Sequence, residues 1–226
     1  VNRDELLDTL AEKIRAIRRP HPLRVGIDGV DASGKTVLAD ALGRRLSDAG
    51  APVIRASVDG FHNPREVRRR RGADSPEGYY ADSFDCGALV RLLLQPLGPG
   101  GDRSYTVSVY DIRREAARRA PKQCAPSDAI LVFDGVFLLR PELAAHWDYS
   151  IFLDVTFETA LRRAAVRDRA LFGTPEQVAA RYRARYIPGQ KIYLAGCRPQ
   201  EYADAVVDNN DPAHPLLTLP AEPPPE

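Results

Sequence analysis

The eight residues Gly29-Val30-Asp31-Ala32-Ser33-Gly34-Lys35-Thr36 fit the pattern G-x-x-x-x-G-K-[ST], which carries chemistry for polyphosphate. Glycine at both ends lets the backbone turn tightly enough for several N–H donors to converge on one anion. Lys35 adds a point charge for β- and γ-phosphates, and the Thr36 hydroxyl is a ligand type that Mg²⁺ accepts. ATP with Mg²⁺ is the cofactor pair that such a loop implies.

Ligands of parallel sheets gather outside the carboxyl ends of the strands, so acids that close an apolar run are the next candidates. Asp59 closes Val53-Ile54-Arg55-Ala56-Ser57-Val58, and Asp134 closes Ile130-Leu131-Val132-Phe133. A carboxylate at Asp59 could take or orient the proton of an attacking hydroxyl, and one at Asp134 could hold Mg²⁺ directly or through water. Each also precedes glycine, and Asp-Gly is a common turn dipeptide; the phosphate loop between them tips the reading towards chemistry. Asp28, just before the loop, reads as its hydrogen-bond partner. Arg163 and Arg167 share a helix face with no acid three or four positions away, a face that is either solvated or met by an anion such as a nucleotide phosphate. The run Arg68-Arg69-Arg70-Arg71 leaves similar options, a solvated loop or a contact to an anion or RNA.

These residues need elements to hold them. Leu6, Leu7, Leu10, Ile14 and Ile17 recur at helical spacing, and Pro20 and Pro22 stop that helix before a strand over Leu23–Ile27. A helix over Lys35–Leu46 and a strand over Val53–Val58 complete a βαβ unit around the loop. From about 60 to 127 the periodicity weakens, as expected of an insertion carrying substrate contacts. Alternation resumes with strands at 129–133 and 149–155, helices at 157–172 and 175 to about 186, and a last strand at 205–207. The pattern predicts an α/β, P-loop NTPase three-layer fold with a parallel five-stranded sheet and helices on both faces. Residues 1–210 then form a single domain with a lid at about 157–188, and 211–226 is a Pro-rich tail expected to be flexible.

Among 226 residues, Lys+Arg 32 against Asp+Glu 31 leaves a formal net charge of +1, so no global basic field argues for nucleic acid. The three cysteines, Cys86, Cys124 and Cys197, form no C-x-x-C pair, which fits a reduced, cytoplasmic setting. No run approaches the roughly 18–20 apolar residues of a spanning helix. The expected partner is a small-molecule substrate, without nucleic acid or membrane; a homo-oligomer is left open.

In its ordered landmarks the chain resembles the uridine kinase family. These are Gly26-Ile27-Asp28-Gly29 leading into the loop, Asp59-Gly60-Phe61, Asp82-Ser83-Phe84-Asp85, Val109-Tyr110-Asp111, Val132-Phe133-Asp134-Gly135 and Tyr202-Ala203-Asp204-Ala205-Val206-Val207. The resemblance implies an ATP-dependent kinase with Asp59 as base and metal neighbour, and Asp134 at the metal-binding acid position, usually Glu in the family. It makes Arg163 and Arg167 lid arginines and sets Tyr110 near a nucleobase. The acceptor side departs from the family: Ile112-Arg113-Arg114 replaces a His-bearing segment, the lid pair reads Arg163-Ala164, Tyr79 stands where a ribose-binding Asp is expected, and His62 replaces a tyrosine. Phe61, His62, Tyr79, Tyr110 and Arg113 are therefore the expected substrate contacts, with a nucleoside first and pantothenate or a sugar as alternatives. A GTPase switch predicts an N-K-x-D segment, which the chain lacks; a non-catalytic nucleotide-binding module predicts erosion of Lys35, Thr36 or Asp59, all of which are present.

Overall fold

The computed structural model describes residues 2–219. Helix α1 (Arg3–Ala16) starts in a capping box made by Asn2 and Glu5 and buries Leu6, Leu7, Leu10, Ala11 and Ile14. Strand β1 (Leu23–Gly29) is buried along its whole length and feeds the phosphate loop, after which α2 (Lys35–Asp48) returns to β2 (Val53–Ser57). Helix α3 (Pro76–Asp82) lies in the insertion. Strands β3 (Ile130–Asp134) and β4 (Tyr149–Asp154) follow. Helices α4 (Phe157–Arg167), α5 (Pro175–Arg181) and α6 (Ile187–Cys197) come next, and β5 (Ala205–Asp208) and β6 (Leu216–Thr218) end the described chain.

The main sheet runs β6-β5-β4-β1-β3-β2. Its first five strands in chain order are parallel, and β6 adds antiparallel to β5. Alternate residues of β3 face opposite layers, as strand geometry requires. Ile130 and Val132 pack with α1 and α2 residues such as Leu10, Leu42 and Leu46, whereas Leu131 and Phe133 pack with Phe61, Phe137, Leu89 and Tyr193. This is the expected three-layer arrangement, with one strand more.

That sixth strand corrects the expectation for the tail. Residues 216–218 pair with β5 at Leu216↔Asp208, Leu217↔Val207 and Thr218↔Val206, because Leu217 and Leu219 offer apolar surface that packs on the core. The end of the tail, 220–226, lies outside the described residues. The helix expected to stop near residue 186 instead passes through a π turn at Tyr182–Tyr186 into α6. Pro188 falls in the first turn of α6, where its missing N–H costs little. In the insertion two short antiparallel pairs form, Ser104–Tyr105 with Gln123–Cys124 and Tyr110–Asp111 with Ala116–Ala117. Among the described residues no helix is long and apolar enough to cross a membrane.

Candidate active site

The phosphate loop owes its shape to two glycines. A Cβ on Gly29 would sit 2.6 Å from Leu153 O, and Gly34 takes φ +102° at the N-cap of α2 with its missing Cβ 2.8 Å from Asn209 Nδ2. Both positions exclude ordinary side chains. The loop is braced from outside: Asn209 Nδ2 donates to Ser33 O at 2.7 Å, Gln190 accepts from Asp31 N at 2.5 Å, and Asp28 accepts from Gly29 N at 2.7 Å. Asp28 is fully buried, and Tyr193 donates to its other oxygen. Burial pushes the Asp28 carboxyl up, against those hydrogen bonds.

Lys35 is 9% exposed and donates to Val30 O at 2.7 Å. Burial lowers its pKa, while Asp31, Asp28 and Asp134 pull it back up. Ser33 Oγ is buried without a partner among the described residues. A folded-back ammonium, an orphan hydroxyl and a helix N-terminus in one glycine-shaped cradle fit a polyphosphate.

Strand register centres the acids. Asp134 pairs with Ile27 on β1 and with Ser57 on β2, so it stands between the phosphate loop and the turn that carries Asp59. Thr36 Oγ1 donates to Asp134 Oδ2 at 2.7 Å, and Arg55 donates to Asp134 Oδ1 at 2.9 Å. Arg55 also holds Asp40 and the carbonyls of Ala56 and Val132. It was not among the expected site residues, although one arginine inside an apolar strand is a visible signal for a buried acid nearby. No group of three or more His, Cys, Asp or Glu capable of holding a metal occurs among the described residues. A hydroxyl beside one carboxylate instead fits Mg²⁺, which takes few protein ligands and leaves the rest to water and phosphate.

Asp59 sits in a 3₁₀ turn (Val58–Phe61) whose first N–H groups are capped by Ser57 Oγ, 3.3 Å from Asp59 N. Its outer edge meets solvent, yet the cleft walls crowd it. Desolvation raises its pKa, His62 lowers it, Asp134 and Asp31 raise it, and Lys35 lowers it. The structure thus brings Lys35, Thr36, Asp59 and Asp134 together, with Asp31 beside them. His62 has Nδ1 3.0 Å from Asp59 O and its ring 4.6 Å from that of Phe84; burial lowers its pKa, which keeps it neutral near pH 7.

Other expected contacts fall differently. Phe61 is 0% exposed and packs on Phe133 in the core. It is corrected from a substrate contact to a support beneath Asp59, because the 3₁₀ turn aims the ring at the sheet. Tyr79 is buried, with its hydroxyl donating to Asp31 at 2.6 Å. The Tyr110 hydroxyl donates to Glu115 at 3.0 Å, and Arg68 grips the same carboxylate at 2.6 Å. Arg113 is exposed on the short hairpin, its N–H bonded to Asp111. Arg70 and Arg71 both hold buried Asp82, at 2.5 and 2.8 Å, so three of the four residues in the arginine run are in ion pairs.

Arg163 and Arg167, expected on a lid, also have partners. Arg163 donates to the carbonyls of Ser33, Asn209 and Asn210 at 3.3, 2.7 and 3.2 Å, bracing the back of the phosphate loop. Arg167 pairs with Asp168 at 2.7 Å and with the Tyr182 hydroxyl at 3.1 Å. The adjacent acid, rather than one three or four positions away, holds it. One feature escaped the sequence altogether: an apolar slot of about 220 Å³ beside the loop, lined by Gly34, Val37, Leu153, Val207, Pro212 and Pro215. Val37 is 55% exposed there.

Comparisons with known proteins agree with this geometry. A family model described as Phosphoribulokinase / Uridine kinase family matches residues 25–211. The uridine-cytidine kinase B of Dictyostelium discoideum is 28% identical over 189 residues, 83% of this chain and 74% of that protein. Among solved structures, one described as a possible uridine kinase from Bacillus stearothermophilus superposes with a TM-score of 0.71 at 26% identity, covering 90% of this chain and 97% of that one. A D-glycerate 3-kinase from Cryptococcus neoformans shares the fold at a TM-score of 0.57 and 16% identity, over 82% of this chain and 85% of that one. With the matched region running from the first strand past the last parallel one, and the phosphate loop and strand-end acids inside it, the chain belongs to the phosphoribulokinase/uridine kinase family.

Proposed function

We propose that the chain transfers the γ-phosphoryl group of ATP to a hydroxyl of a small-molecule acceptor. The observation that carries this reading is Thr36 bonded to Asp134 beside the buried Lys35, with Asp59 near enough for the charges of Asp134 and Lys35 to act on its carboxyl. In this reading the loop from Gly29 to Thr36 binds the phosphates through its N–H groups, and Lys35 leaves Val30 O for the β- and γ-oxygens. Thr36 and Asp134 are the groups that would hold Mg²⁺, which when bound neutralises charge developing on the transferred group. Asp59 accepts the proton of the attacking hydroxyl, and its raised pKa makes it a better base than an ordinary aspartate. Arg163 and Arg167 close over the donor once the lid moves, and the apolar slot at Val37 takes the donor's base.

The relatives named for uridine and cytidine make a pyrimidine nucleoside the first acceptor to try. A non-nucleoside acceptor, such as pantothenate or a sugar, is favoured by one observation: Tyr79 and Tyr110 are already bonded to Asp31 and Glu115, which leaves few free polar groups for a ribose. The setting is taken to be the cytoplasm. The test is ADP release with Mg·ATP across uridine, cytidine, pantothenate and fructose. Release that depends on one of these acceptors is expected; release at the same rate without any acceptor would make the protein a hydrolase instead.

A further inference from the structure

The helical hairpin that packs over Tyr79 holds a charge without a counter-charge. Arg185 is 5% exposed. Its terminal nitrogens donate to Ala73 O at 2.5 Å and Arg68 O at 3.5 Å, and Nε is buried with no partner. Both acceptors are backbone carbonyls, and no ion pair among the described residues includes this guanidinium. Burying an arginine costs several kcal/mol unless a carboxylate or its equivalent offsets it. Burial lowers the Arg185 pKa, Tyr186 and Tyr79 raise it, and Arg181 and Arg68 lower it. Arg68 is matched by Glu115 at 2.6 Å, but Arg181 reaches Asp74 only at 4.0 Å. The rings of Tyr79 and Tyr186, 5.7 and 5.8 Å from the Arg185 guanidinium carbon, supply a cation–π contact that falls short of an ion pair.

The position is as informative as the charge. Tyr79 joins this guanidinium to the phosphate loop, since its ring lies under Arg185 and its hydroxyl is on Asp31. Arg68 joins it to the other wall, because Arg68 Nε donates to Asn63 O, next to His62, at 2.8 Å. Arg185 itself sits in the π turn, a helix irregularity concentrated at functional sites. The segment that covers it, residues 70–74, is exposed throughout.

We propose that Arg185 holds an anionic group of the acceptor, a carboxylate or a phosphate monoester, while the acceptor's hydroxyl faces Asp59. The proposal rests on the kinase reading for the fate of that hydroxyl and narrows the acceptor to a charged class. The anion takes the free Nε and displaces the Ala73 and Arg68 carbonyls as the covering segment moves, a planar two-point grip that suits guanidinium.

Isothermal titration calorimetry on the full chain saturated with Mg·ADP tests this, with Arg185→Met separating the acceptor side from the γ-phosphate position that ADP leaves open. The probes are D-glycerate and ribose 5-phosphate against their neutral counterparts glycerol and ribose, with uridine alongside. At least one charged probe should bind tenfold or more tightly than its counterpart, and which one does so separates carboxylate from phosphate. Arg185→Met should abolish that preference and Arg185→Lys keep part of it, both with wild-type ADP affinity as evidence of folding. Equal affinity within each pair, tightest binding by uridine, or a preference that survives in a folded Arg185→Met overturns the proposal. Should Arg185→Met fail to fold, the wild-type preference and the Arg185→Lys value decide. Wild-type chain that binds no ADP removes the phosphate-loop reading and this proposal with it. Chain that prefers the charged probe yet releases no ADP from Mg·ATP with it loses the kinase step and keeps the anion site.

Discussion

Within the phosphate loop the contacts that set its shape are short in sequence, Lys35 reaching back five residues to Val30 O and Asp28 bonding the next residue's N–H, while Asn209 and Gln190 brace it from afar. On the facing wall they leap, with Arg68 bonding Glu115 across 47 residues, Tyr79 bonding Asp31 across 48, and Arg185 bonding Ala73 O across 112. The first kind of site is dictated by glycine stereochemistry and a helix start, which tolerate little change. The second is assembled from side chains on separate helical segments that the fold brings together. A scaffold built this way keeps one donor chemistry and is free to vary its acceptor.

Asp59 stands on the boundary between the two regions and should give the largest effect. Asp59→Asn is expected to lower kcat by about 10²–10⁴-fold, the usual contribution of a positioned base, while ATP affinity measured by calorimetry stays near wild type. A drop in ATP affinity of the same size would move Asp59 into the donor region. The same residue predicts the acid limb of kcat/KM. Protonation removes the base, so activity falls as pH drops through its pKa, and desolvation with Asp134 and Asp31 nearby sets that midpoint above the ordinary aspartate value of about 3.9. A limb at or below that value would mean that the cleft does not crowd the carboxylate.

Gly34→Ala probes the donor side alone. The new Cβ must sit at φ +102° and 2.8 Å from Asn209 Nδ2, so the strain is about 1–3 kcal/mol. Thermal unfolding should report it as a fall in Tm of roughly 2–4 °C per kcal/mol, with weakened ATP binding. Unchanged Tm would show that the loop shape does not depend on this glycine.

The division between the two regions also separates what could be read from the sequence. The loop from Gly29 to Thr36, the strands before it and after α2, and the acids closing them announce themselves through glycine spacing and apolar runs. The positions of the parallel strands along the chain follow from those same runs. Phe61 was misplaced because Asp59-Gly60-Phe61 reads as one motif, while the 3₁₀ turn splits it between cleft and core. Arg167 looked unpaired because helix spacing is counted at three and four positions, whereas Asp168 folds back from the helix end. Arg55 stands out as a charge inside an apolar strand, but its partner Asp134 does not, and Arg185 under the insertion was not legible: nothing local ties residue 55 to 134 or 185 to 73, and only the folded sheet and the π turn bring them together. The strand at 216–218 was hidden by the prolines around it.

Tyr79→Phe gives the smallest effect and the sharpest test of whether the two regions are separate. The ring that underlies Arg185 is kept, and only the hydroxyl bonded to Asp31 is lost. Tyr79 is buried and its hydroxyl is held far above the ordinary tyrosine range by desolvation and by Asp31, so it donates at every working pH. Losing one such hydrogen bond is worth about 0.5–1.5 kcal/mol, or roughly 2- to 13-fold in an equilibrium constant. If the acceptor wall merely stands beside the donor loop, KM for the acceptor changes and the ATP affinity does not. The bond to a loop residue argues otherwise: freeing Asp31 alters the side chain that supports Lys35, so ATP affinity should shift within that 2- to 13-fold range together with acceptor KM. A shift in acceptor KM alone would restore the picture of two independent halves.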